Sequence, residues 1–204
     1  MSKHSQDFGS LQDKLSELRR NQETLEKAWK QRAGNKAMLE FLVQIMPRAL
    51  EAERCSIFIL DALHDNVWVQ AGTGLAEKQV EVPKSGSMVG QVVSTGQCII
   101  EHDMQNLVGT HDLVAVKTGF VTRNAICVPV QGVTRKQITG AIQVLNKREG
   151  KRFGEEDKKI LEELAFLLQM TIENIFIRQE LARMMMEMKR QIEVLESKLA
   201  AATR

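Results

Sequence analysis

Apolar residues along this chain keep three different rhythms, and the rhythm changes abruptly twice. Near the start, Phe8, Leu11, Leu15, Leu18, Gln22, Leu25 and Trp29 recur in alternating steps of three and four. That spacing holds one narrow stripe on a helix, with polar Gln22 at one seam position. The rhythm returns at the far end in Leu181, Met185, Met188, Ile192, Leu195, Leu199 and Ala202, with Lys189, Arg190, Glu193, Glu196 and Lys198 off the seam. A stripe so thin suits a partner helix better than a globular core. The pattern predicts two coiled-coil arms, residues 1–34 and 178–204, that pair in a parallel homodimer around a central domain at 35–177.

Between the arms the patterning becomes mixed. Residues 36–51 read as a helix with Met38, Leu42, Ile45, Met46 and Ala49 on one face, and Pro47 kinks it or marks its last turn. Branched and alternating runs predict strands at 55–60 and 67–71, joined by a hairpin loop over 61–66, and a third strand at 79–83. Residues 87–95 form a short helix closed by Gly96 as a left-handed cap. A short strand at 98–100 follows, then an insertion at 103–119 that mixes loop with one or two helical turns. Two strongly apolar strands, 125–130 and 138–145, are central. From Gly154 a single helix carries Ile160, Leu164, Leu167, Leu168, Ile172, Ile175 and Phe176 toward the core and runs on into the seam. Its first turn holds Glu155, Glu156 and Asp157, where carboxylates oppose the helix dipole favourably. This order predicts an α+β fold: an antiparallel sheet with helices on one face and the insertion roofing a cavity on the other.

Composition narrows the function classes. The 28 basic and 26 acidic residues nearly cancel and aromatics make up 4% of the 204, so no nucleic-acid surface is expected. No apolar run approaches the roughly 20 residues of a membrane span, and the polar first ten residues lack a signal-peptide core. The expectation is a cytoplasmic chain. Cys55, Cys98 and Cys127 are an odd set in apolar surroundings, which predicts buried, reduced thiols, and their spacing matches no metal motif. His102-Asp103 and His111-Asp112 resemble metal-phosphohydrolase dipeptides, but only His4 and His64 remain to complete such a site, so no metal is expected. Neither a glycine-rich triphosphate loop nor a Gly-x-Ser-x-Gly elbow is present, and the chain is not expected to be an enzyme.

Three features point into the predicted cavity. Ser85-Gly86-Ser87 precedes a short helix whose free N–H groups suit an anion, although an ordinary turn with Ser87 as N-cap is the simpler reading. Thr118 and Thr122 bring two hydroxyls to the end of the insertion and the start of a strand, where they can bond phosphate or sugar oxygens or, equally, serve as solvent-facing caps. Gln143 is a polar residue inside the apolar run Ala141-Ile142-Gln143-Val144-Leu145; a buried amide without a partner costs about 1–3 kcal/mol. On the roofed face its natural partner is a purine edge. Asn146, Lys147, Phe153 and Asp157 read as structural. Lys147 closes a strand and Asp157 opens a helix, so an ion pair across the bend sets the angle, with Phe153 beneath it.

These residues resemble a known family. The run 55–61 (Cys-Ser-Ile-Phe-Ile-Leu-Asp), Val82-Pro83, Gly90 with Thr95-Gly96-Gln97, Thr118-Gly119-Phe120 with Thr122-Arg123-Asn124, Cys127-Val128-Pro129-Val130, Gly140 and the Asn146-Lys147…Phe153-x-x-x-Asp157 pattern look like a GAF domain over residues 36–177. The similarity is greatest to the regulatory GAF domains of cyclic-nucleotide phosphodiesterases and related adenylyl cyclases. The resemblance implies a six-stranded antiparallel sheet and a cyclic nucleotide, cAMP or cGMP, under the insertion. It implies that Ser56 reaches the nucleotide from the first strand, that Val89 lines the pocket, and that the helix start at Ser87 and Met88 receives the cyclic phosphate. Thr118 and Thr122 would hold phosphate and ribose, and Gln143 the base or sugar region.

Several positions depart from the family pattern. Ala71, Gly72 and Thr73 stand where a purine-stacking ring often sits, His111 and Ala115 where an aromatic and an acid are expected, Gln143 for a glutamate and Lys158 for an acid. His111 can still stack on a base. Base preference is left unassigned by these departures. The leading expectation is a homodimeric sensor of a cyclic nucleotide that relays through its arms to an effector domain, which a longer protein would carry beyond Arg204. The alternative is a dimerisation GAF module with no nucleotide ligand. A third reading, reduction of free methionine sulfoxide by pocket thiols, is disfavoured because Met88 and Val89 occupy the helix start where a reactive cysteine belongs.

Overall fold

The structure is a computed structural model that describes residues 36–61, 66–76, 80–104, 119–134 and 136–202, together with Ser16, Glu17 and Arg20. The chain divides into two compact units, one of Gly34–Ile177 and one that groups Met1–Ala33 with Arg178–Arg204.

In the larger unit, helix α1 (Lys36–Ala49) leads into strands β1 (Ala52–Leu60), β2 (Asn66–Gly72) and β3 (Glu81–Pro83). Helix α2 (Met88–Thr95) and strands β4 (Ile99–Glu101), β5 (Ala125–Gln131) and β6 (Ile138–Lys147) follow, and helix α3 (Glu155–Ala202) ends the chain's described part. All six strands join one antiparallel sheet in the order β3-β2-β1-β6-β5-β4. The expected α+β sheet is present, with helices on both faces. Strands β1, β5 and β6 are central and buried on both sides, which is why their sequences are near-continuous apolar runs.

One face packs under α1 and α3. Cys55, Ile57 and Ile59 of β1, Ile126 and Val128 of β5, and Ile142 and Val144 of β6 meet Leu39, Val43, Met46, Leu161, Leu168 and Ile172. The opposite face carries Phe58, Val67, Val69, Cys127 and Ala141 beneath Val89, Val92 and Val93 of α2. Burying each large side chain contributes roughly 1.5–3 kcal/mol. Helix α2 ends as the sequence predicts, with Gly96 at φ 69° and its N–H on the carbonyl of Val92.

Two helical faces differ from the sequence-based expectation. On α1 the inward side is Leu39, Val43, Met46 and the following Leu50; Met38, Phe41 and Ile45 are exposed. On α3 Leu168 faces the core, but neighbouring Leu167 is 71% exposed, beside exposed Phe166 and Met170. Both helices are apolar on more than one side, so periodicity alone admits two orientations. Asn66 also belongs to β2 rather than to the preceding loop.

Lys147 and Asp157 meet as expected. The ammonium lies 2.6 Å from Oδ1 of Asp157, with both side chains nearly buried, and the Gly154 N–H donates to Oδ2 at 3.0 Å. Phe153 is 2% exposed and its ring centroid lies 5.9 Å from the ammonium. One carboxylate thus caps α3 and ties it to the end of β6. A second carboxylate, Glu173, was not foreseen. It accepts from the N–H groups of Val133 and Thr134 at 2.9 and 3.1 Å and clasps the β5–β6 hairpin to α3.

In the smaller unit, Leu181, Met185, Met188, Leu195 and Leu199 are part-buried and Ile192 is 8% exposed, while most residues between them are exposed. The first arm lies outside the described residues except for Ser16, Glu17 and Arg20, which are helical. Among the described residues no helix is long and apolar enough to cross a membrane.

The buried ion pair yields a stability prediction. Asp157→Ala leaves Lys147 without its partner and is expected to cost about 3 kcal/mol in urea unfolding. The double replacement Lys147→Met with Asp157→Leu recovers most of that loss if the pair acts chiefly through charge rather than shape.

Candidate functional site

The strand register builds the floor of a pocket. Ser56 sits opposite Gly72 on one side and opposite Gln143 on the other, and Gln143 opposite Cys127. Residues 72, 56, 143 and 127 therefore form one row across the sheet, on the face covered by α2. One step along the strands, Arg54 stands opposite Leu145, which pairs in turn with Ala125.

The roof comes from α2 and from the segment before β5. Gly90 lets α2 pack against the backbone of the segment that leads into it, since a Cβ there would lie 2.0 Å from the Lys84 carbonyl oxygen. Met88 drops its thioether to 3.5 Å from Nε2 of Gln143. Phe120 and Thr122 close one end, and Leu75, Val80 and Val82 the other. The lining thus holds Ser56, Ser87, Met88, Val89, Thr122 and Gln143, six residues that sequence reasoning nominated. His111, Ala115 and Thr118 lie outside the described residues. The space left among the lining side chains is about 60 Å³, whereas pockets for drug-sized ligands run to ~300–1,000 Å³.

Each polar group has a distinct state. The Ser87 hydroxyl is occupied as the N-cap of α2, accepting from the Gly90 N–H at 2.9 Å and donating to the Pro83 carbonyl at 2.7 Å. The simpler of its two readings holds for that hydroxyl. Thr73, where a stacking ring was missing, receives the Cys55 N–H and donates to the Val43 carbonyl, so it locks β1 and β2 to α1. Arg54 and Phe120 were not nominated. The guanidinium carbon lies 3.9 Å from the ring centroid, a close cation–π contact. Their signal in the sequence was weak, because the pairing depends on a register and a loop path.

Asn146 explains how the roof segment is held. Its Oδ1 accepts from the Arg123 N–H at 2.7 Å, and its Nδ2 donates to the Val121 carbonyl and to Glu53, each at 2.9 Å. Asn124 returns the contact, its Oδ1 accepting from the Lys147 N–H at 2.9 Å. Arg123 also pairs with Glu53 at 2.5 Å. Asn146 adopts φ 58°, a left-handed conformation that Asn tolerates better than most residues. Partial burial raises the Glu53 pKa, but the Asn146 and Arg123 hydrogen bonds outweigh it and leave the carboxyl below its usual 4.5.

The thiols stand apart from the pocket. Cys55 and Cys127 are buried, and burial pushes both well above the usual range. Cys98 is part-buried and pushed up to about 11, again chiefly by burial. None of the three lines the pocket among the described residues. No cluster of three or more His, Cys, Asp or Glu suited to a metal occurs among the described residues.

Comparison with known proteins identifies the family. The model for the GAF domain matches residues 36–172, and the chain belongs to that family. A curated relative, dual 3',5'-cyclic-AMP and -GMP phosphodiesterase 11A of Takifugu rubripes, is 27% identical over 125 residues, which cover 55% of this chain and 14% of that protein. The chain therefore spans about a seventh of that relative's length. Among solved structures, the GAF domain of an Acinetobacter phosphoenolpyruvate-protein phosphotransferase superposes with a TM-score of 0.57 at 21% identity, covering 85% of this chain and 95% of that one. A free methionine-R-sulfoxide reductase from Neisseria meningitidis, solved with its substrate, gives 0.53 at 19% identity over 83% and 92% of the two chains. These two share the fold. GAF domains are regulatory small-molecule sensors, and some of their structural neighbours are enzymes.

The Glu53 bracket carries a pH signature. A depressed folded-state pKa contributes stability above the unfolded value and loses it as pH falls through the folded value. Glu53→Gln is expected to lower stability by about 0.5–1 kcal/mol at neutral pH, limited by solvent screening of a part-exposed group. The difference from wild type should shrink below roughly pH 4.5. A constant gap across pH 3–7 in urea titrations speaks for lost packing instead.

Proposed function

We propose that this chain is a regulatory sensor that takes a cyclic purine nucleotide into the pocket between the sheet and α2. It acts as a cytoplasmic homodimer and passes the binding event into its helical arms toward an effector. The observation that carries this reading is the convergence of Ser56, Thr122 and Gln143 with the start of α2 on one hollow. The similarity to a cyclic-AMP and cyclic-GMP phosphodiesterase supports the ligand class. Hydroxyls suit ribose and phosphate oxygens, and the Gln143 amide suits a purine edge.

The small free space sets the mechanism. A nucleotide enters only after Met88 leaves Gln143, and an unbranched thioether side chain has the rotatable bonds to do so. Gln143 then exchanges a weak sulfur contact for a base or sugar. The apparent affinity falls by the fraction of molecules already open, so a closed resting state weakens binding without abolishing it. The same small space favours a second reading, a dimerisation module whose pocket stays shut.

Isothermal titration with cAMP and cGMP separates the two. The sensor reading expects saturable heat with one of them, and a stabilisation of about 2.7 kcal/mol at a hundredfold excess over Kd. Met88→Ala opens the hollow and should tighten binding. Absence of heat and of a thermal shift with either nucleotide, in wild type and Met88→Ala alike, leaves the second reading.

Assembly is tested separately. The seam residues Leu181, Met185, Met188, Leu195 and Leu199 remain partly exposed within one chain, and a second copy would cover that area. Sedimentation at micromolar concentration should report two chains, and Leu195→Asp should release single ones. A wild-type monomer contradicts the dimer.

A further inference from the structure

Among the described pocket-lining residues, Arg54 alone carries a charge. It stands one row away from Ser56 and Gln143 on the same face of the sheet, at the end closed by Phe120, Thr122, Met104 and Leu145. The other end is apolar: Phe58, Leu75, Val80, Val82 and Val89. The pocket is thus bipartite, with a cation at one end and a hydrocarbon sleeve at the other.

The carboxylate beside Arg54 in sequence is otherwise engaged. Glu53 bonds Asn146 and Arg123. Among the described residues no carboxylate forms an ion pair with Arg54, whose guanidinium instead lies against the Phe120 ring at 3.9 Å. A ring face returns only part of the hydration that a half-buried guanidinium gives up. An anion at that point would recover more, because charge-assisted, two-pronged bonds to an oxyanion are the strongest contacts a guanidinium makes.

We propose that Arg54 is the anion-reading residue of this pocket, held ready on Phe120, and that it restricts ligands to molecules with an apolar or planar body and an anionic group. The proposal rests on the reading of the hollow as a ligand site and deepens it. It does not require that the ligand be a nucleotide. The anionic end lies beside Thr122 and Phe120, and the planar body lies over Ser56 and Gln143 toward Val80 and Val82. When the anion arrives, the guanidinium turns from the ring to the oxyanion, which frees Phe120 to pack against the ligand.

The test uses the full chain and two pairs of probes that differ in charge. One pair is each cyclic nucleotide against its nucleoside. The other is the fluorescent anion anilinonaphthalene sulfonate against uncharged N-phenylnaphthylamine. Wild type should prefer the anionic dye, and raising the salt to about 0.5 M should weaken that dye alone. Arg54→Gln should weaken the anionic dye by about tenfold or more and leave the neutral dye within about twofold. Arg54→Lys keeps the charge but loses the two-pronged, stacked geometry, so it should weaken the anionic dye less than Arg54→Gln does and leave the neutral dye within about twofold. If Arg54→Gln fails to fold, the salt dependence and Arg54→Lys still decide. Equal loss of both dyes, no loss of the anionic dye, or no binding of it by wild type overturns the proposal. Failure of both cyclic nucleotides with the dye pattern intact sinks the nucleotide reading alone. Nucleotide binding that ignores Arg54→Gln sinks the role of Arg54 alone.

Discussion

The end of β6 is the point on which the rest of this fold turns. Asn146 and Lys147 are neighbours, yet one secures the segment roofing the pocket and the other secures the helix that leaves the sheet. The left-handed backbone at Asn146 breaks the regular alternation, which from Gln143 and Leu145 would have put Lys147 on the pocket face and Asn146 on the face of α1 and α3. Asn146 uses its whole amide: the oxygen accepts and the nitrogen donates twice. A side chain without both functions leaves either the Arg123 N–H or the Val121 carbonyl without its partner. Position 122 in the pocket wall therefore depends on a residue that does not line the pocket.

Among the described residues the pocket is filled largely by its own internal contacts. Met88 covers Gln143, Arg54 covers Phe120, and the Ser87 hydroxyl caps α2. Each of these contacts is weak or local, and each occupies a group that a ligand could use. A ligand entering the hollow would have to exchange partners with these groups, and its binding free energy would be a difference between two sets of contacts. Such an arrangement keeps polar groups from being stranded in an apolar hollow when it is empty, because unsatisfied buried groups are costly.

Much of this was legible in the residues themselves. The strands at β1, β5 and β6 appear as branched apolar runs because they are buried on both faces. Ser87 and Gly96 mark the ends of α2 by cap chemistry alone. Lys147 and Asp157 could be paired across the bend because their separation in sequence is only ten residues. The outward faces of α1 and α3 were misassigned at Met38, Ile45, Ala49 and Leu167, since a helix apolar on two sides carries no mark of which side meets the sheet. Glu53, Arg54, Phe120 and Glu173 passed unnoticed for a different reason. Each acts on a partner at least 39 residues away, or across a loop, and no local pattern encodes such a meeting.

By itself, then, the amino-acid sequence determined the elements, their order and the identity of the central strands, because these follow from periodicity, caps and the need to bury apolar surface. It also nominated Thr122 and Gln143, because polar residues in or beside apolar strands demand an explanation, and Ser56 through the family resemblance. Tertiary structure alone decided that Ser56 and Gln143 lie side by side, that Met88 packs above Gln143, and that the Arg54 guanidinium stands at the pocket's polar end. Those facts depend on strand register and on the height of α2 above the sheet, where a shift of one residue turns every side chain to the opposite face.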